Sequence, residues 1–242
     1  RSAFATLDYS YFIAANAKRF GQTPLVRPCD DGSYRLTAEF SSMLGQTTFR
    51  TFFTDTVEAG LFNALALAES SRKHHIRQNH GFLYGEKYSV FDVMRLCGWS
   101  AEQVPQNVGG YKLDTETGSL PIFIKYEASQ YGDRFLNPGE IEWFSKNNRS
   151  LRSNEFRWLL DGTERTPEWQ NRHFVPIFIR RKAEEQEKSY YFVGSAVALD
   201  DVHASVNPGE DGSESKVVIS TLKLGKPVDP ELYRHLTGKS AL

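Results

Sequence analysis

The sequence predicts an α+β fold, in which a helical N-terminal segment precedes a curled antiparallel sheet or a β-barrel. Up to residue 86, apolar residues recur at helical spacing, whereas after Gly110 the pattern changes to strand-like alternation. Five β candidates follow with few helical segments between them, which favours an antiparallel sheet over a doubly wound parallel one.

The N-terminal segment is predicted to contain two helices. Thr6 can cap the first helix, which Gly21 ends, and Thr54 or Asp55 begins the second. In the second helix, apolar residues at every fourth position form one stripe that we expect to pack: Val57, Leu61, Leu65 and Ala68. We place a boundary before Gly81, with residues 1–80 as a helical linker subdomain and residues 81–242 as the second domain.

Capping signals define three shorter helices in the second domain. Ser89 and Asp92 form a capping box for a helix to Cys97, and Gly98 stops it. Residues 153–160 can form a helix with Phe156, Leu159 and Leu160 inward. Asp229 followed by Pro230 begins a final helix. The β candidates are Leu120–Tyr126, Ile141–Ser145, Phe174–Arg180, Tyr190–Val197 and Lys216–Leu224, of which the third and fourth are predicted to form a hairpin with a charged, exposed tip.

The composition is that of an ordinary globular protein, with 40% hydrophobic and 24% charged residues in 242. The net charge of −1 excludes a uniformly basic binder, so a nucleic-acid site requires local sorting of charge. Two cysteines do not make a disulfide scaffold, and no apolar run approaches the roughly 20 residues of a membrane span. We therefore expect a cytoplasmic location. Because the sequence starts at Arg1 rather than Met, we expect it to be a piece of a longer protein.

The most informative stretch runs from residue 110 to residue 153, where aromatic residues alternate with basic ones. The basic residues Lys146, Arg149 and Arg152 follow a predicted strand end, and the rings near them are Tyr111, Tyr126, Tyr131 and Trp143. Rings that stack on bases and cations that contact phosphates are typical of nucleic-acid surfaces. The alternative is a β-core with a solvated charged loop, which charge runs more often represent.

Catalytic patterns are weak in this sequence. It has no GxSxG, HExxH, GxxxxGK[ST] or GxGxxG motif, and the missing phosphate loop excludes an ATPase within it. A metal-dependent nuclease site could be sought at Asp114, Lys125 and Glu127, which lack a second acid at a fixed spacing. A nucleophilic pair of Cys97 with His173 or His203 is an equally loose pattern.

Motifs spread over residues 88–236 fall in an order that resembles a known family. They are Tyr88, Asp92–Val93, Arg95–Leu96, Trp99, Gly110–Tyr111, Pro121–Phe123, Tyr126, Tyr131, Asp133, Phe135, Trp143, Ser145, Arg149–Leu151, Ser153, Ile177–Arg180 and Tyr190–Gly194. The order is similar to that of the C-terminal domain of bacterial phospholipase-D-type nuclease and helicase fusions. It also resembles the target-recognition domain of SauUSI-type, type IV modification-dependent restriction endonucleases. Residues 146–148 depart from the pattern, since an arginine is expected there, and residues 124–127 lack the usual Thr-Tyr-His.

The resemblance implies an SRA-like barrel that flips a modified base into a pocket. Flipping costs a few kcal/mol, which aromatic stacking can offset, and the amino group of cytosine needs an acceptor. The expected pocket residues are Tyr111, Tyr126, Trp143 and Tyr191, with Asp133 as the acceptor. The expected phosphate contacts are Lys125, Arg134, Ser145, Lys146, Arg149 and Arg152.

Taken together, the residues and the resemblance predict a domain that reads 5-methylcytosine or a related modified base in double-stranded DNA. The implied parent is an ATP-dependent restriction endonuclease, and its helicase and nuclease domains are the expected partners within the same chain. We expect no catalysis, no metal and no cofactor in this part, with ATP and a divalent metal acting in the parent, and no membrane contact. The alternatives are a protein-interaction or autoregulatory module of the helicase, and a nuclease in its own right.

Overall fold

The structure is a computed structural model that describes residues 2–21, 23–73, 78–79, 81–126, 132–161, 167–208 and 214–239. The chain divides into two compact units. The first unit comprises Arg1–Gln78 together with Met94–Gln103, and the second comprises Asn79–Val93 together with Val104–Leu242.

The described helices and strands alternate in kind along the chain. The helices are α1 (Ser2–Leu7), α2 (Ala14–Ala17), α3 (Ala38–Gly45), α4 (Thr47–Lys73), α5 (Val90–Leu96), α6 (Pro105–Val108), α7 (Asn154–Leu159), α8 (Pro167–Arg172) and α9 (Pro230–Thr237). The strands are β1 (Val26–Pro28), β2 (Tyr34–Leu36), β3 (Gln78–Asn79), β4 (Phe82–Leu83), β5 (Lys87–Ser89), β6 (Ile122–Tyr126), β7 (Arg134–Asn137), β8 (Glu140–Phe144), β9 (Pro176–Arg181), β10 (Ser189–Pro208) and β11 (Glu214–Leu224).

The first predicted helix is interrupted in the structure. The carboxylate of Asp8 accepts a hydrogen bond from the backbone N–H of Ser10 at 2.8 Å, and Tyr9 has a φ of 67°. This local turn competes with the helix, as aspartate side chains do when they bond the backbone two residues on. The prediction of one helix from Thr6 to Gly21 was therefore wrong, because the turn separates α1 from α2.

The second predicted helix is present as α4, but it begins seven residues earlier than expected and its stripe is exposed. Residues Val57, Leu61 and Leu65 are 43%, 60% and 71% exposed, so the prediction that this stripe packs was wrong. The reason is length. Since a residue adds about 1.5 Å of helix, α3 can cover about 12 Å of α4, whose 27 residues extend about 40 Å. The contacts of α3 fall on the first turns, where Phe40 meets the rings of Phe49 and Phe53 edge-on.

The second unit is built on a seven-stranded sheet with the order β6-β9-β10-β11-β8-β7, and β5 pairs with the start of β10. The neighbouring pairs are antiparallel except β6 and β9, which run parallel with Ile122 opposite Ile177. The predicted α+β class with a curled sheet is confirmed, and the parallel pair departs from an otherwise antiparallel pattern among the described strands of this sheet. The predicted hairpin of β9 and β10 is also confirmed, with a 3₁₀ turn at Lys182–Glu187 as its tip.

The curl of the sheet comes from β10, whose 20 residues serve two sets of neighbours. Its residues 191–195 pair with β9, and its residues 196–208 pair with β11 on the other edge. The register shifts between Phe192 and Gly194, between Ala196 and Ala198, and between Asp200 and His203. Such bulges bend a strand and increase its twist, and they wrap the sheet around one face.

The main core of the second unit contains side chains from six strands of the sheet, β6 to β11, and from three helices, among them Trp169 of α8. Phe156 and Leu159 of α7, as predicted, and Tyr233 and Leu236 of α9 complete this core. A second cluster of rings lies on β4, β5, β6, β9 and β10, at sheet positions that alternate with those of the main core. Its members are Phe82, Tyr88, Phe123, Phe178, Tyr190 and Phe192. Burial of both faces explains why β6 and β9 read as continuous apolar runs.

Candidate nucleic-acid interface

A cavity of about 910 Å³ opens between the segment that follows α6, the loop after β8, and α7. We call it the Tyr111 cavity. Its lining combines two rings, four cations and two carboxylates with apolar side chains. The lining residues are Tyr111, Lys112, Leu113, Thr115, Lys146, Arg149, Leu151, Asn154, Glu155, Arg157, Trp158, Leu160 and Asp161.

The loop after β8 is fixed to β11, and this positions its cations. The backbone N–H of Ser145 donates to the carbonyl oxygen of Val218 at 2.8 Å, and the Ser145 hydroxyl accepts the N–H of Val218 at 2.8 Å. Further along, the N–H of Arg149 donates to the carbonyl oxygen of Lys216 at 3.2 Å. Ser145 is fully buried, so it anchors the loop, whereas we had predicted it to contact phosphate.

Tyr111 forms the floor of the cavity and is 4% exposed. Its hydroxyl donates to Glu155 Oε1 at 2.9 Å and accepts the backbone N–H of Lys146 at 3.3 Å. Its ring meets that of Trp143 edge-on, with centroids 5.0 Å apart. Burial, and next the charge of Glu155, raise the pKa of Tyr111 above its ordinary value, so the hydroxyl remains a donor at neutral pH.

Glu155 is one of the two carboxylates that line this cavity. Its Oε1 receives the Tyr111 hydroxyl and also lies 2.9 Å from Arg149 Nε, while its side chain is 12% exposed. The Nε–H of Arg149 is not aligned with that oxygen for a hydrogen bond, so this contact is an ion pair. In the sequence, Glu155 was only a lone acid among basic residues, and nothing there indicated that it would face Tyr111.

Lys146 belongs to the wall of the cavity. Its Nζ donates to the carbonyl oxygen of Val108 at 2.6 Å and lies 4.6 Å from the centre of the Tyr111 ring. Burial, together with the positive charge of Arg149, lowers the pKa of Lys146. This lysine therefore connects the end of α6 to the cavity, and its ammonium group has two more N–H donors for the predicted phosphate contact.

Trp158 is the second ring of the cavity and was missed by the sequence reasoning. We had expected Phe156, Leu159 and Leu160 to face inward from α7. The structure buries the first two and leaves Leu160 and Trp158 half-buried at the cavity. The ring of Trp158 meets the ring of His173 at 4.4 Å. A tryptophan next to Arg157 was the available signal, since aromatic and basic neighbours are typical of nucleic-acid surfaces.

The four predicted pocket rings do not form one cage among the described residues. Tyr126 and Trp143 are 7% and 2% exposed in the main core, where Trp143 stacks on Phe156. Tyr191 lies under Lys87 Nζ at 4.4 Å. Tyr126 and Trp143 belong to the core because β6 and β8 turn alternate side chains to the inner face of the curled sheet. Of the four rings, Tyr111 lines the cavity.

Asp133 was predicted as the acceptor, but it is not among the residues that line the Tyr111 cavity. Its Oδ1 accepts the backbone N–H of Phe144 at 2.8 Å, which joins the residue before β7 to the end of β8. The residue keeps some exposure, but its carboxyl group is shielded, and burial raises the pKa of Asp133 to about 7 against the opposing effect of that N–H. The carboxylate that faces the Tyr111 hydroxyl in the cavity is that of Glu155.

The predicted phosphate contacts separate into two groups. Lys146 and Arg149 line the cavity, whereas Arg134 forms an ion pair with Glu142 at 3.0 Å on the β7–β8 hairpin. Lys125 is exposed on β6, and Arg152 is exposed in the turn before α7. Two residues considered above, Glu127 and Tyr131, lie outside the described residues.

In the described part of the chain, no three histidine, cysteine, aspartate or glutamate residues are grouped as metal ligands. The carboxylate of Asp114 accepts the hydroxyl and the backbone N–H of Thr117 at 2.6 and 2.9 Å, which stabilises a turn. The two cysteines are not joined by a disulfide. None of the helices within the described ranges is long and apolar enough to cross a membrane.

Residues 82–236 match the family model named Domain of unknown function (DUF3427). The chain belongs to this family. Residues 1–68, ahead of the DUF3427 domain, match a second model named Domain of unknown function (DUF8090). No curated protein matches the chain.

Several solved structures are similar to the region that contains the DUF3427 domain. One is the DNA recognition domain of the cytosine modification-dependent restriction endonuclease LpnPI, at 12% identity over 66% of this chain and 89% of that chain, with a TM-score of 0.40. Another is the DNA modification-dependent restriction endonuclease AspBHI, at 16% identity over 66% of this chain and 42% of that one, with a TM-score of 0.39. A third is the SUVH5 SRA complex with hemi-methylated CG DNA, at 12% identity over 64% and 97%, with a TM-score of 0.40.

Proposed function

We propose that the DUF3427 domain of this chain binds double-stranded DNA and reads 5-methylcytosine, or a related modified cytosine, flipped into the Tyr111 cavity. The observation that carries this proposal is the cavity itself. It places a tryptophan ring, a tyrosine hydroxyl and a shielded carboxylate inside a lining that contains four cations, in a chain whose net charge is −1.

The cations suit the phosphate backbone. Lys112, Lys146, Arg149 and Arg157 face two carboxylates, Glu155 and Asp161, so the lining carries an excess of two positive charges. Phosphate contacts position a protein on DNA without reading its sequence, and they release counterions. Arg149 and Arg157 are the best placed for this, because Arg149 keeps 39% of its side chain exposed and Arg157 is exposed next to the opening.

The interior suits a base. Pockets of about 300–1,000 Å³ hold ligands of nucleotide size, and this cavity has about 910 Å³. Trp158 offers a stacking surface, and stacking contributes about 1–3 kcal/mol per base against a flipping cost of a few kcal/mol. The carboxylate of Glu155 can accept from the amino group at cytosine N4, which thymine lacks. The apolar lining of Leu113, Leu151 and Leu160 offers contacts for a 5-methyl group.

We further propose that this domain acts within a larger chain of the type IV restriction class. The motif order in residues 88–236 supports this assignment, because it resembles domains fused to helicases and nucleases. In such a parent, this domain selects the DNA, and ATP and a divalent metal act in the other domains. The partners of this chain are then modified duplex DNA and the helicase and nuclease domains of the same polypeptide.

The proposal is tested by titrating the 242-residue chain with matched duplexes that carry unmodified, 5-methylated or 5-hydroxymethylated cytosine. We expect tighter binding of a modified duplex, together with an increase in the signal of a fluorescent base analogue placed opposite the target. Trp158→Ala should lower affinity for the modified duplex, and Trp99→Phe serves as the matched control. Equal affinity for all duplexes would contradict base reading, and absence of binding would contradict the proposal as a whole.

A second function, protein docking, is supported by α4 of the first unit. Five large apolar side chains of this helix are 43–72% exposed: Phe52, Val57, Leu61, Phe62 and Leu65. Exposed apolar patches of this kind mark interaction sites, and the helicase domain of the parent is the expected partner. Leu61→Glu with Leu65→Glu should abolish co-purification of this chain with that domain and leave DNA affinity unchanged. Undiminished co-purification would refute the docking role.

A further inference from the structure

His173 lies next to Trp158, behind the wall of the Tyr111 cavity, and both nitrogens of its ring face backbone carbonyl oxygens. Nδ1 lies 2.7 Å from the carbonyl oxygen of Trp169, and Nε2 lies 2.7 Å from that of Trp158. The residue is 3% exposed. Both partners are therefore fixed by the fold, and bulk water has little access to replace them.

The number of hydrogens on the ring decides whether this arrangement is favourable. A carbonyl oxygen carries no hydrogen, so each of the two contacts needs an N–H on the histidine. A neutral imidazole has one N–H, and its second nitrogen would then direct a lone pair at a carbonyl oxygen 2.7 Å away. The imidazolium, by contrast, donates at both positions.

The surroundings of His173 also suit a cation. The ring of Trp169 stacks on it with centroids 4.7 Å apart and planes at 18°, and the ring of Trp158 meets it at 4.4 Å. Indole faces attract cations, and hydrogen bonds from a charged donor are stronger than neutral ones. The two carbonyl oxygens and two rings can therefore offset much of the cost of burying the charge.

The charged groups on the neighbouring elements make no hydrogen bond to His173, whose described polar partners are the two carbonyl oxygens. In the described part of the chain they are Glu155 and Arg157 on α7, Asp161 after α7, Arg172 on α8, and Asp114 and Glu116 in the turn that pairs with Phe174. Arg172 and Asp161 approach each other to 3.8 Å and are 54% and 74% exposed. Because both side chains are exposed, solvent screens their charges.

We infer that His173 is an imidazolium in the folded chain and that it positions Trp158 in the wall of the cavity. The ring of His173 joins the backbone of α7 at Trp158 to the backbone of α8 at Trp169. A second link supports the same pair of helices, because Trp169 Nε1 donates to the carbonyl oxygen of Leu159 at 2.9 Å. Loss of the proton turns one of the two histidine contacts repulsive and loosens the helix that carries Trp158.

The protonation state can be measured on the wild-type chain without DNA. Nitrogen-15 NMR of labelled histidine distinguishes a ring nitrogen that carries hydrogen from one that does not, and His173→Gln assigns the signal. We expect both nitrogens of His173 to carry hydrogen at neutral pH. A single N–H on His173 under those conditions would overturn the inference.

The positioning role rests on the proposed function, because its readout is affinity for modified DNA. As pH rises until the His173 signal shows loss of its proton, the affinity of the wild-type chain should fall by up to about 100-fold, the upper end of what one stacking ring contributes. Trp158→Phe assigns the fluorescence change that should accompany this fall. His173→Gln should bind weakly at all pH values, and His203→Gln, a matched change at a 49% exposed histidine, should follow wild type.

The two ideas fail separately. If the wild-type chain binds no modified duplex at any pH, the proposed function fails, and the NMR measurement still decides the protonation of His173. If both nitrogens carry hydrogen but affinity stays constant when the proton is lost, the positioning role is overturned. Should His173→Gln fail to fold, the wild-type titration alone decides between these outcomes.

Discussion

Replacing Glu155 with glutamine removes a charge from the lining of the Tyr111 cavity and keeps the shape of the side chain. The hydrogen bond from the Tyr111 hydroxyl then has a neutral acceptor. Hydrogen bonds to charged groups contribute about 1.5–3 kcal/mol to stability and neutral ones about 0.5–1.5 kcal/mol, so this bond loses about 1–1.5 kcal/mol. The ion pair with Arg149 adds at most about 0.5–1 kcal/mol, because Arg149 is 39% exposed and screened by solvent. We therefore expect the free energy of unfolding to fall by about 1–2 kcal/mol, which for a chain of this size lowers Tm by roughly 2–8 °C.

The effect on recognition should be qualitatively different from this modest loss of stability. Glutamine can present either an oxygen or an amino group, so it accepts from cytosine N4 without excluding thymine O4. The preference for 5-methylcytosine over thymine at the target position should fall by about 1–3 kcal/mol. Affinity for the backbone should not fall, because one negative charge has been removed from the lining.

Competition binding with duplexes that differ only in a 5-methylcytosine or a thymine at the target measures this preference, and thermal melts measure stability. Glu142→Gln is the matched control, since Glu142 pairs with Arg134 on the β7–β8 hairpin. The control should keep the wild-type preference. If Glu155→Gln melts as expected and still discriminates as wild type does, Glu155 is not the acceptor and our assignment of the cavity interior is refuted.

Three further predictions follow from the same geometry. Arg149→Ala should weaken binding to methylated and unmethylated duplexes alike and reduce the salt slope by about one; a change confined to methylation preference would contradict a phosphate contact. Because burial raises the pKa of Asp133 to about 7 in the folded chain, against an ordinary value of 3.8, the native state binds the extra proton between those values. Asp133 therefore lowers the free energy of unfolding as pH rises through that window. Asp133→Asn keeps an oxygen for the Phe144 N–H and should make the free energy of unfolding less dependent on pH there. Denaturant titrations at several pH values measure this, and an unchanged pH dependence would show that the carboxyl group is solvated. Trp143→Ala should cost about 3–5 kcal/mol of unfolding free energy, whereas Trp158→Ala should cost less and lose DNA affinity instead; equal loss of stability in both variants would place Trp158 in the core.

Elements with local start and stop signals could be predicted from the sequence. The Ser89 hydroxyl donates to the Asp92 carboxylate at 2.6 Å, as the capping box indicated. Gly98 follows the end of α5 with a φ of 78°, as its glycine stop signal indicated. Asp229 caps α9 with bonds of 3.0 Å to two backbone N–H groups. The short strand β7 was missed because four residues, of which one is buried, carry little alternation.

The candidate site was predicted only in part, because a linear pattern does not tell which faces of different elements meet. The sequence identified Tyr111, Lys146 and Arg149 from the mixture of rings and cations. It could not identify Glu155, whose role depends on a contact with a tyrosine 44 positions away in the chain. The sequence could not show that Asp133 lies outside this cavity. A carboxylate beside a glycine can face a cavity or bond a neighbouring strand, and the bond to the N–H of Phe144 is visible only in three dimensions.

The double use of β10 has a consequence for how the second unit opens and closes. Since one strand supplies both the edge for β9 and the edge for β11, a slip by one residue would turn buried side chains outward in both halves at once. The half of the sheet that contains β9 and the half that contains β11 could separate only if β10 lost its hydrogen bonds to both neighbours. Amide hydrogens from Tyr191 to Leu199 should therefore exchange only through unfolding of the whole sheet. The cavity wall that holds Trp158 and the second cluster of rings should then be lost in a single cooperative step.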